Sequence, residues 1–342
     1  PSFASFAIFK PTIVELIIFY ILVFALAEIF TPAGKKAPDG LTARHLRVVK
    51  AIVLICALFF IIDAAYWIAK DRFSRQLTIT AIDVGQGSST LVRMPGGVNM
   101  LIDGGGFHDS SFDMGKSVIA PVLYAERIGK IDIVVLTHPH PDHLQGLIYI
   151  VNNFHVREVW YNGIKTDDDL FRLFEKAISD HGIKPRVLSA GDAPVIISGV
   201  TFECLWPGPL PAKAGQYLSH NEVNDTSLVF KIVFDKASFL VTGDISRIVE
   251  TALIDRGHNL KADLLFVPHH GSVHSSSENF IKAVSPRYAL ISAGRKNMFG
   301  HPHPRVLERY LSRGVEVLRT DRLGAIMVQT DGENLSVAPF KQ

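Results

Sequence analysis

Two long apolar segments near the start of the chain restrict its architecture more than any other feature of the sequence. Residues 12–30 and 51–69 are each 19 residues long and consist mostly of Ile, Leu, Val, Phe and Ala. At the rise of an α-helix, about 20 apolar residues cross the hydrocarbon core of a bilayer. We therefore predict two transmembrane helices within residues 1–75. The alternative is that both segments are core helices of a globular domain.

The charges around these segments predict their orientation. The connector, residues 31–50, has five Lys or Arg and a single acid, Asp39. Because Lys and Arg accumulate in cytoplasmic loops, we expect this connector to lie inside the cell. Residues 76–342 then follow one further crossing, on the extracytoplasmic face. The chain would be a multi-pass protein of the inner (cell) membrane.

Composition excludes several classes of site in residues 76–342. This part has 26 Lys or Arg and 28 Asp or Glu, so it lacks the positive charge of a large sequence-independent nucleic-acid footprint. A site centred on metal ions would still bind phosphate with few basic side chains. The chain has two cysteines, Cys56 and Cys204, which excludes a disulfide framework and a zinc module of four cysteines.

The pattern of residues 76–342 is typical of an α/β layered domain. Short apolar or alternating runs predict strands at 76–82, 88–93, 98–102, 131–136, 226–234, 238–242, 263–267, 288–292 and 325–329. Amphipathic runs predict helices near 115–128, 144–153, 168–180, 245–256 and 304–313. Glycine-rich turns join the first strands, which favours an antiparallel start, whereas helices separate the later strands.

A dense cluster of potential metal ligands follows one predominantly apolar strand. The run 131–136 leads directly into His138, His140, Asp142 and His143. The first two imidazoles are two residues apart and can point the same way from an extended segment, whereas the last two ligands can face a second position. Nitrogen and oxygen donors without thiolates favour zinc, manganese or iron. The alternative is a polar loop of solvated histidines.

Further potential ligands follow three other predicted strands. These residues are Asp244, His269, His270, His301 and His303. Functional residues gather where strands end in α/β domains. We therefore expect these side chains to meet the first cluster at one edge of the sheets.

These motifs are similar to those of a known superfamily. The set HPHPDH, TGD and HHGS resembles the metallo-β-lactamase superfamily, and AIDVGQGSS, LIDGG, NDTSLVF, PHHGS and GHPHP resemble the ComEC family. That family comprises membrane channel proteins of DNA uptake in natural competence. The resemblance covers residues 76–342 and implies a metallo-β-lactamase-like αββα sandwich preceded by two transmembrane helices. It also implies two divalent metal ions, zinc or manganese, as cofactors.

The resemblance implies a role for each residue of the site. The implied metal ligands are His138, His140, Asp142, His143, Asp244 and His301. Asp244 would bridge the two ions, and the implied catalytic residues are Asp142, His269 and His270. One of the two adjacent histidines would complete the ligand set or protonate the leaving group.

Two further features of the resemblance concern the surroundings of the ligands. Asp83 and Asp103 would orient the ligand loop by hydrogen bonds. The sequence departs from the superfamily where a further His ligand is usual, because Asn224 and Asp225 stand there. His220, four residues before Asn224, is the alternative ligand.

Together these features predict a membrane-tethered phosphodiesterase that depends on metal. It would be a nuclease of a DNA-uptake channel and would degrade the non-transported strand outside the cytoplasm. Expected partners are DNA bound without sequence specificity, the inner membrane, upstream channel helices and other competence-machinery proteins. One alternative is a small-molecule hydrolase of a lactam, thioester or phosphate ester. The other is a non-catalytic domain that guides DNA through the channel.

Overall fold

The chain divides into two compact units, Pro1–Ser74 and Arg75–Gln342. The structure, a computed structural model, describes residues 9–30, 39–107, 112–208, 220–295 and 297–340. The first unit contains helices α1 (Ile13–Phe30) and α2 (Asp39–Arg72). Helix α2 begins well before the second apolar segment, because residues 42–50 contain neither Gly nor Pro to interrupt it. Part of the basic connector is therefore helical.

Both helices are long and apolar enough to cross a membrane. Most of their large apolar side chains are exposed, for example Ile13, Phe30 and Leu54. They therefore do not form a buried core among the residues that the structure describes. His45 Nε2 lies 2.9 Å from a carboxylate oxygen of Glu28, which joins the two helices of this unit.

The described part of the second unit contains fifteen strands and eight α-helices. The strands are β1 (Leu77–Ala81), β2 (Thr90–Met94), β3 (Val98–Ile102), β4 (Lys130–Leu136), β5 (His155–Tyr161), β6 (Pro185–Val187), β7 (Val195–Ile197), β8 (Val200–Trp206), β9 (Val229–Phe234), β10 (Ala237–Val241), β11 (Leu264–Phe266), β12 (Tyr288–Ile291), β13 (Glu316–Arg319), β14 (Ile326–Thr330) and β15 (Leu335–Pro339). The helices are α3 (Ala120–Ala125), α4 (Pro141–Asn153), α5 (Asp169–Asp180), α6 (His220–Asn224), α7 (Arg247–Asp255), α8 (Glu278–Val284), α9 (Pro304–Leu311) and α10 (Thr320–Leu323).

The strands form two mixed sheets. The first has the order β15-β14-β1-β2-β3-β4-β5-β6, and the second has the order β13-β12-β11-β10-β9-β8-β7. Strands β1 to β3 pair antiparallel, whereas β3 to β6 run parallel. In the second sheet, β10 to β13 run parallel. The predicted antiparallel start is therefore confirmed.

Alternation of side chains along the strands builds four layers. Val135 of β4 packs between the sheets with Phe202 and Phe239 of the second sheet. Its neighbour Val134 points the other way, into a core shared with α3, α4 and α5. On the outer face of the second sheet, Leu265 lies in a core shared with α7, α8 and α9. The predicted αββα sandwich is confirmed.

Candidate active site

Strand β4 and helix α4 position the first cluster of ligands. His140 is the residue that precedes the first turn of α4, and Pro141 occupies the first helical position. Proline suits that position because its φ is already helical and because an N–H at the first helical position has no acceptor within the helix. Asp142 lies in the first turn, where the helix dipole favours a carboxylate. His138, His140 and His143 are all buried.

Asp103, at the end of β3, orients this cluster from behind. One carboxylate oxygen accepts the backbone N–H of Thr137 at 2.8 Å. The other accepts the Thr137 hydroxyl at 2.8 Å and lies 2.7 Å from Nδ1 of His143. A carboxylate at Nδ1 leaves Nε2 of the same ring free for a ligand. Asp83 makes a different contact, because it accepts the N–H of Gly85 at 3.3 Å.

Asp244 reaches the cluster from β10 in the other sheet. The preceding Gly243 has φ +53°, and a Cβ there would lie 2.7 Å from Cβ of Ser227. The N–H of Asp244 donates to the Ser227 hydroxyl at 3.0 Å. One carboxylate oxygen lies 3.3 Å from Nε2 of His143, and the other lies 4.0 Å from Nε2 of His138. Both carboxylate oxygens of Asp244 therefore face imidazoles of the first cluster.

The loop after β11 contributes a second pair of imidazoles. His269 and His270 have φ values of +50° and +54°, a strained backbone that is typical of functional loops. Nε2 of His270 lies 3.5 Å from Asp244 and 3.7 Å from Asp142, while Nδ1 lies 3.1 Å from the carbonyl oxygen of Ser292. His269 is partly exposed, and its Nε2 is 3.9 Å from Asp244. His270 is therefore the member of the pair that joins both carboxylates.

The site holds opposite charges next to one another in a buried volume. Burial alone would raise the pKa of Asp244, but His270 and His143 outweigh it and hold that pKa well below its ordinary value. Burial alone would lower the pKa of His143, but Asp244 and Asp103 raise it well above its ordinary value. For His138, burial together with His143 outweighs the opposite effect of Asp244 and lowers its pKa well below its ordinary value.

The donors around Asp244 fit a divalent metal ion. Asp142, His143, Asp244 and His270 each offer one ligand atom, and these atoms lie within 4.8 Å of one another. Nε2 of His143 and Nε2 of His270 are buried without a hydrogen-bond partner among the described residues. An unpaired buried polar atom is costly. Imidazole and carboxylate donors of this kind suit zinc or manganese.

A second pair of imidazoles lies next to these four residues. Nε2 of His138 is 3.1 Å from Nδ1 of His140. The ring of His138 is also 4.2 Å, centroid to centroid, from the ring of His143. His138 and His140 therefore form a second pair of donors beside the group of four.

Several residues singled out by sequence lie outside the cluster of four. His301 packs against His269 with 5.8 Å between ring centroids, and burial and His270 lower its pKa to about 4. His303 accepts the N–H of Arg305 and caps α9. Asn224 is buried, and its Oδ1 has no hydrogen-bond partner in the described part of the chain. The side chain of His220 lies outside the described residues.

Comparison with known proteins identifies the family to which this site belongs. Residues 82–295 match the family described as Metallo-beta-lactamase superfamily. The chain belongs to this superfamily. Its two-sheet fold and its histidine- and aspartate-rich site are therefore those of a metallo-beta-lactamase superfamily hydrolase, and this fold implies binding of divalent metal.

Two curated members and one solved structure illustrate what this superfamily chain is similar to. ComE operon protein 3 of Bacillus subtilis (strain 168) is 32% identical over 261 residues, covering 72% of this chain and 32% of the relative. Competence protein ComA of Neisseria gonorrhoeae is 32% identical over 252 residues, covering 73% and 32%. The chain thus spans about a third of the length of these relatives. A metallo hydrolase from Ignicoccus hospitalis has a TM-score of 0.45 at 14% identity, covering 77% of this chain and 100% of that one.

Two polar residues of this metallo-beta-lactamase superfamily site were not predicted from the sequence. Thr137 links Asp103 to the ligand loop, and Ser227 holds the backbone of Asp244. Ser227 lies within the NDTSLVF motif, and Thr137 directly precedes His138. A hydroxyl next to a ligand at the end of a buried strand is the signal that would have indicated both.

Proposed function

We propose that this chain is a membrane-tethered, metal-dependent phosphodiesterase that cleaves DNA as part of a DNA-uptake channel. The observation that carries the proposal is the position of Asp244. One carboxylate oxygen lies 3.3 Å from Nε2 of His143, and the other lies 4.0 Å from Nε2 of His138 and 3.5 Å from Nε2 of His270. A carboxylate that has imidazoles near both of its oxygens can bridge two metal ions, as a two-metal hydrolytic site requires.

We assign two sets of ligands around Asp244. Asp142, His143 and His270 would hold one ion, and His138 and His140 would hold the other. His270 replaces His301 in this assignment because His301 packs against His269 instead of facing the carboxylates. Divalent ions bound there would polarise a phosphoryl group and lower the pKa of an attacking water molecule.

His269 is the group that we assign to proton transfer. It lies outside the set of four, its side chain is 24% exposed, and its Nε2 is 3.9 Å from Asp244. An imidazole at the solvent side of the site can donate a proton to the oxygen of the leaving group. The neighbouring Gly271 has φ +81° and is packed against Pro302, which fixes the loop that carries this ring.

DNA is the substrate that agrees best with the rest of the chain. The two apolar helices and the basic connector support a tether whose second unit lies outside the cytoplasm. Similarity to proteins named for competence supports a place in DNA-uptake machinery. Degradation of the non-transported strand needs no base-reading motif, because every nucleotide offers the same phosphodiester.

One observation favours a second candidate, a domain that guides DNA without cleaving it. Asn224 stands where the superfamily usually has a further histidine, so the site has one strong ligand fewer. An amide oxygen is a weaker ligand for zinc than an imidazole. The two candidates differ in whether the metal-loaded chain hydrolyses phosphodiesters.

The test is cleavage of end-labelled single- and double-stranded DNA by the purified full chain, loaded with zinc or manganese. We expect metal-dependent cleavage that falls roughly 100-fold or more in Asp142→Asn, because a ligand is lost. Asp132→Asn is the matched control, since Asp132 is a buried carboxylate at the opposite end of β4.

Two results would contradict the proposal. A folded, metal-loaded chain that cleaves neither DNA form would favour the guiding domain. Hydrolysis of small lactams, thioesters or phosphate esters without DNA cleavage would favour a small-molecule hydrolase.

A further inference from the structure

An exposed aromatic ring lies at the edge of the site. The loop between β12 and α9 has Met298 and Phe299 at its tip, 89% and 68% exposed. Isolated exposed apolar residues are common on protein surfaces. Phe299, however, stacks on His301, with 6.0 Å between ring centroids and 22° between ring planes. One face of an aromatic ring is thus held against a histidine of the site.

The loop that carries this ring is held by hydrogen bonds. The Asn297 side chain accepts the N–H of His301 at 2.8 Å and donates to its carbonyl oxygen at 2.6 Å. It also donates to the carbonyl oxygen of Gly294 at 2.9 Å. Asn297 thereby links Gly294 to His301, which lie on either side of Phe299 in the loop. The exposure of the ring is therefore a property of a constrained loop.

Three rings lead from solvent to the carboxylate between the ligands. Phe299 contacts His301, the His301 and His269 centroids are 5.8 Å apart, and Nε2 of His269 is 3.9 Å from Asp244. A polymer cleaved at Asp244 has to extend beyond the site. Phe299 lies on one such path, within one or two side chains of the centre.

The chemistry of this edge suits an unpaired nucleobase. Residues 76–342 have slightly more acids than bases, so charge alone supplies little affinity for DNA. Stacking of a base on an aromatic ring is tolerant of sequence and contributes roughly 1–3 kcal/mol per base. Arg295, exposed on the same loop, offers a positive charge for an adjacent phosphate. Inside a duplex, both faces of a base are stacked on neighbouring bases, so neither is free for such a contact.

We propose that Phe299 is a stacking platform for an unpaired base next to the scissile phosphodiester, so that the substrate is single-stranded where it is cut. This inference rests on the proposed function for the identity of its occupant. It adds a substrate-binding residue and a preference for single strands to that function.

The test is binding of a fluorescently labelled single-stranded oligonucleotide by the full chain, measured by anisotropy in EDTA so that no cleavage occurs. An oligonucleotide of equal length with abasic positions is the second probe. We expect Phe299→Ala to weaken binding of the normal oligonucleotide roughly tenfold and to leave the abasic one unchanged. Phe299→Tyr should bind like the parent chain, and Phe299→Leu should bind like the alanine variant.

Ile196→Ala is the matched control, because Ile196 on β7 is 69% exposed, like Phe299, and lies on the edge strand of the second sheet. Equal weakening of both probes by Phe299→Ala would overturn the inference. So would unchanged binding, full retention by Phe299→Leu, or a parent chain that does not distinguish the probes. If Phe299→Leu binds as tightly as the parent chain, position 299 makes a general apolar contact with protein or lipid and does not stack on a base.

The outcome is separable from that of the proposed function. If the parent chain does not cleave DNA but binds it in a base-dependent way through Phe299, the nuclease function is contradicted and the stacking role of Phe299 is supported. If the chain cleaves DNA in a metal-dependent way but its binding does not depend on the bases, the nuclease function is supported and the stacking role of Phe299 is refuted.

Discussion

At the scale of single residues, Asp103 connects the ligand loop to the sheet behind it. Its carboxylate lies within hydrogen-bond distance of the Thr137 amide, the Thr137 hydroxyl, the Ser88 hydroxyl and Nδ1 of His143. Four polar contacts to one buried carboxylate hold the His143 ring in one orientation. The same contacts fix which ring nitrogen faces Asp244.

Asp103→Asn should lower the affinity for zinc or manganese by about 10–100-fold, because such partners of metal ligands contribute that much. The amide retains the size of the side chain but has only one accepting oxygen. Calorimetric metal titration of the full chain measures the change. Asp132→Asn removes a buried carboxylate that accepts the backbone N–H of Asn99, near the opposite end of β4 from the ligands, and should leave the affinity unchanged. Equal loss in both variants would show that general destabilisation is responsible.

Gly87 controls how closely the loop after β1 approaches the ligands. A Cβ at Gly87 would clash with the backbone carbonyl of Asp142, whereas a Cβ at Gly85 would meet nothing within 4 Å. Both glycines have positive φ, +80° and +72°, so both substitutions carry backbone strain. Only Gly87→Ala has to move Asp142.

We expect Gly87→Ala to abolish most metal binding, and Gly85→Ala to retain it with a loss of stability of about 1 kcal/mol. Metal titration and urea unfolding of the two variants side by side separate displacement of the ligand from backbone strain. Identical metal affinities for the two alanine variants would refute the argument.

At the scale of elements, Glu250 and Arg309 connect helices α7 and α9 to the start of α8. This buried side chain of α7 accepts the backbone N–H groups of Ser276 and Ser277 at the start of α8. Arg309 of α9 donates to the carbonyl oxygens of Ser275 and Ser276. The junction directly follows the loop that carries His269 and His270, so it supports that loop.

Glu250→Ala should lower the free energy of unfolding by about 2–3 kcal/mol, because two buried amides lose their acceptor. Glu278→Ala is the control, since this exposed acid on α8 pairs with Arg313 at the surface and such pairs contribute at most about 1 kcal/mol. Urea unfolding of the metal-free chain checks the difference. A loss below about 1 kcal/mol for Glu250→Ala would contradict the role of the junction.

Periodicity predicted the strands at the centre of each sheet but not those towards its edges. Strands β4, β9, β10 and β12 are predominantly apolar because most of their residues are buried on both faces. Strand β5 reads HVREVWY and is partly exposed, so its pattern is weak and its pairing with β4 decides its conformation. Strands β6 and β7 have three residues each, too few for a period. Tertiary pairing therefore determines them.

At the scale of the whole molecule, the chain combines an apolar unit with a hydrolase unit. The division after Ser74 leaves both apolar helices in the first unit and every predicted ligand in the second. The second unit has its own cores between and outside the two sheets. Such a unit meets the usual requirements for independent folding.

Deletion of residues 1–74 should move the chain from the membrane fraction to the soluble fraction and leave metal binding intact. Metal at 100 to 1,000 times its Kd should then stabilise the fragment by about 3–4 kcal/mol, by mass action. Membrane fractionation tests the first statement, and thermal unfolding with and without EDTA tests the second. The fragment carrying Asp142→Asn should lose most of the EDTA-sensitive shift. A fragment that stays in the membrane fraction would contradict the assignment of the tether.

The sequence by itself determined the superfamily, the αββα sandwich and the strand ends that carry the ligands. Those features depend on local periodicity and on motifs contained within a few residues. Only the tertiary structure decided that His270 and not His269 reaches both carboxylates, since two adjacent left-handed residues turn the rings apart. It also decided that Asp103 bonds His143 and that Phe299 stays exposed beside His301. The contact of His270 with Asp142 joins segments that follow strands of different sheets, so its geometry exists only once the two sheets have packed together. The other two contacts depend on how the chain turns after its strands, which local periodicity does not encode.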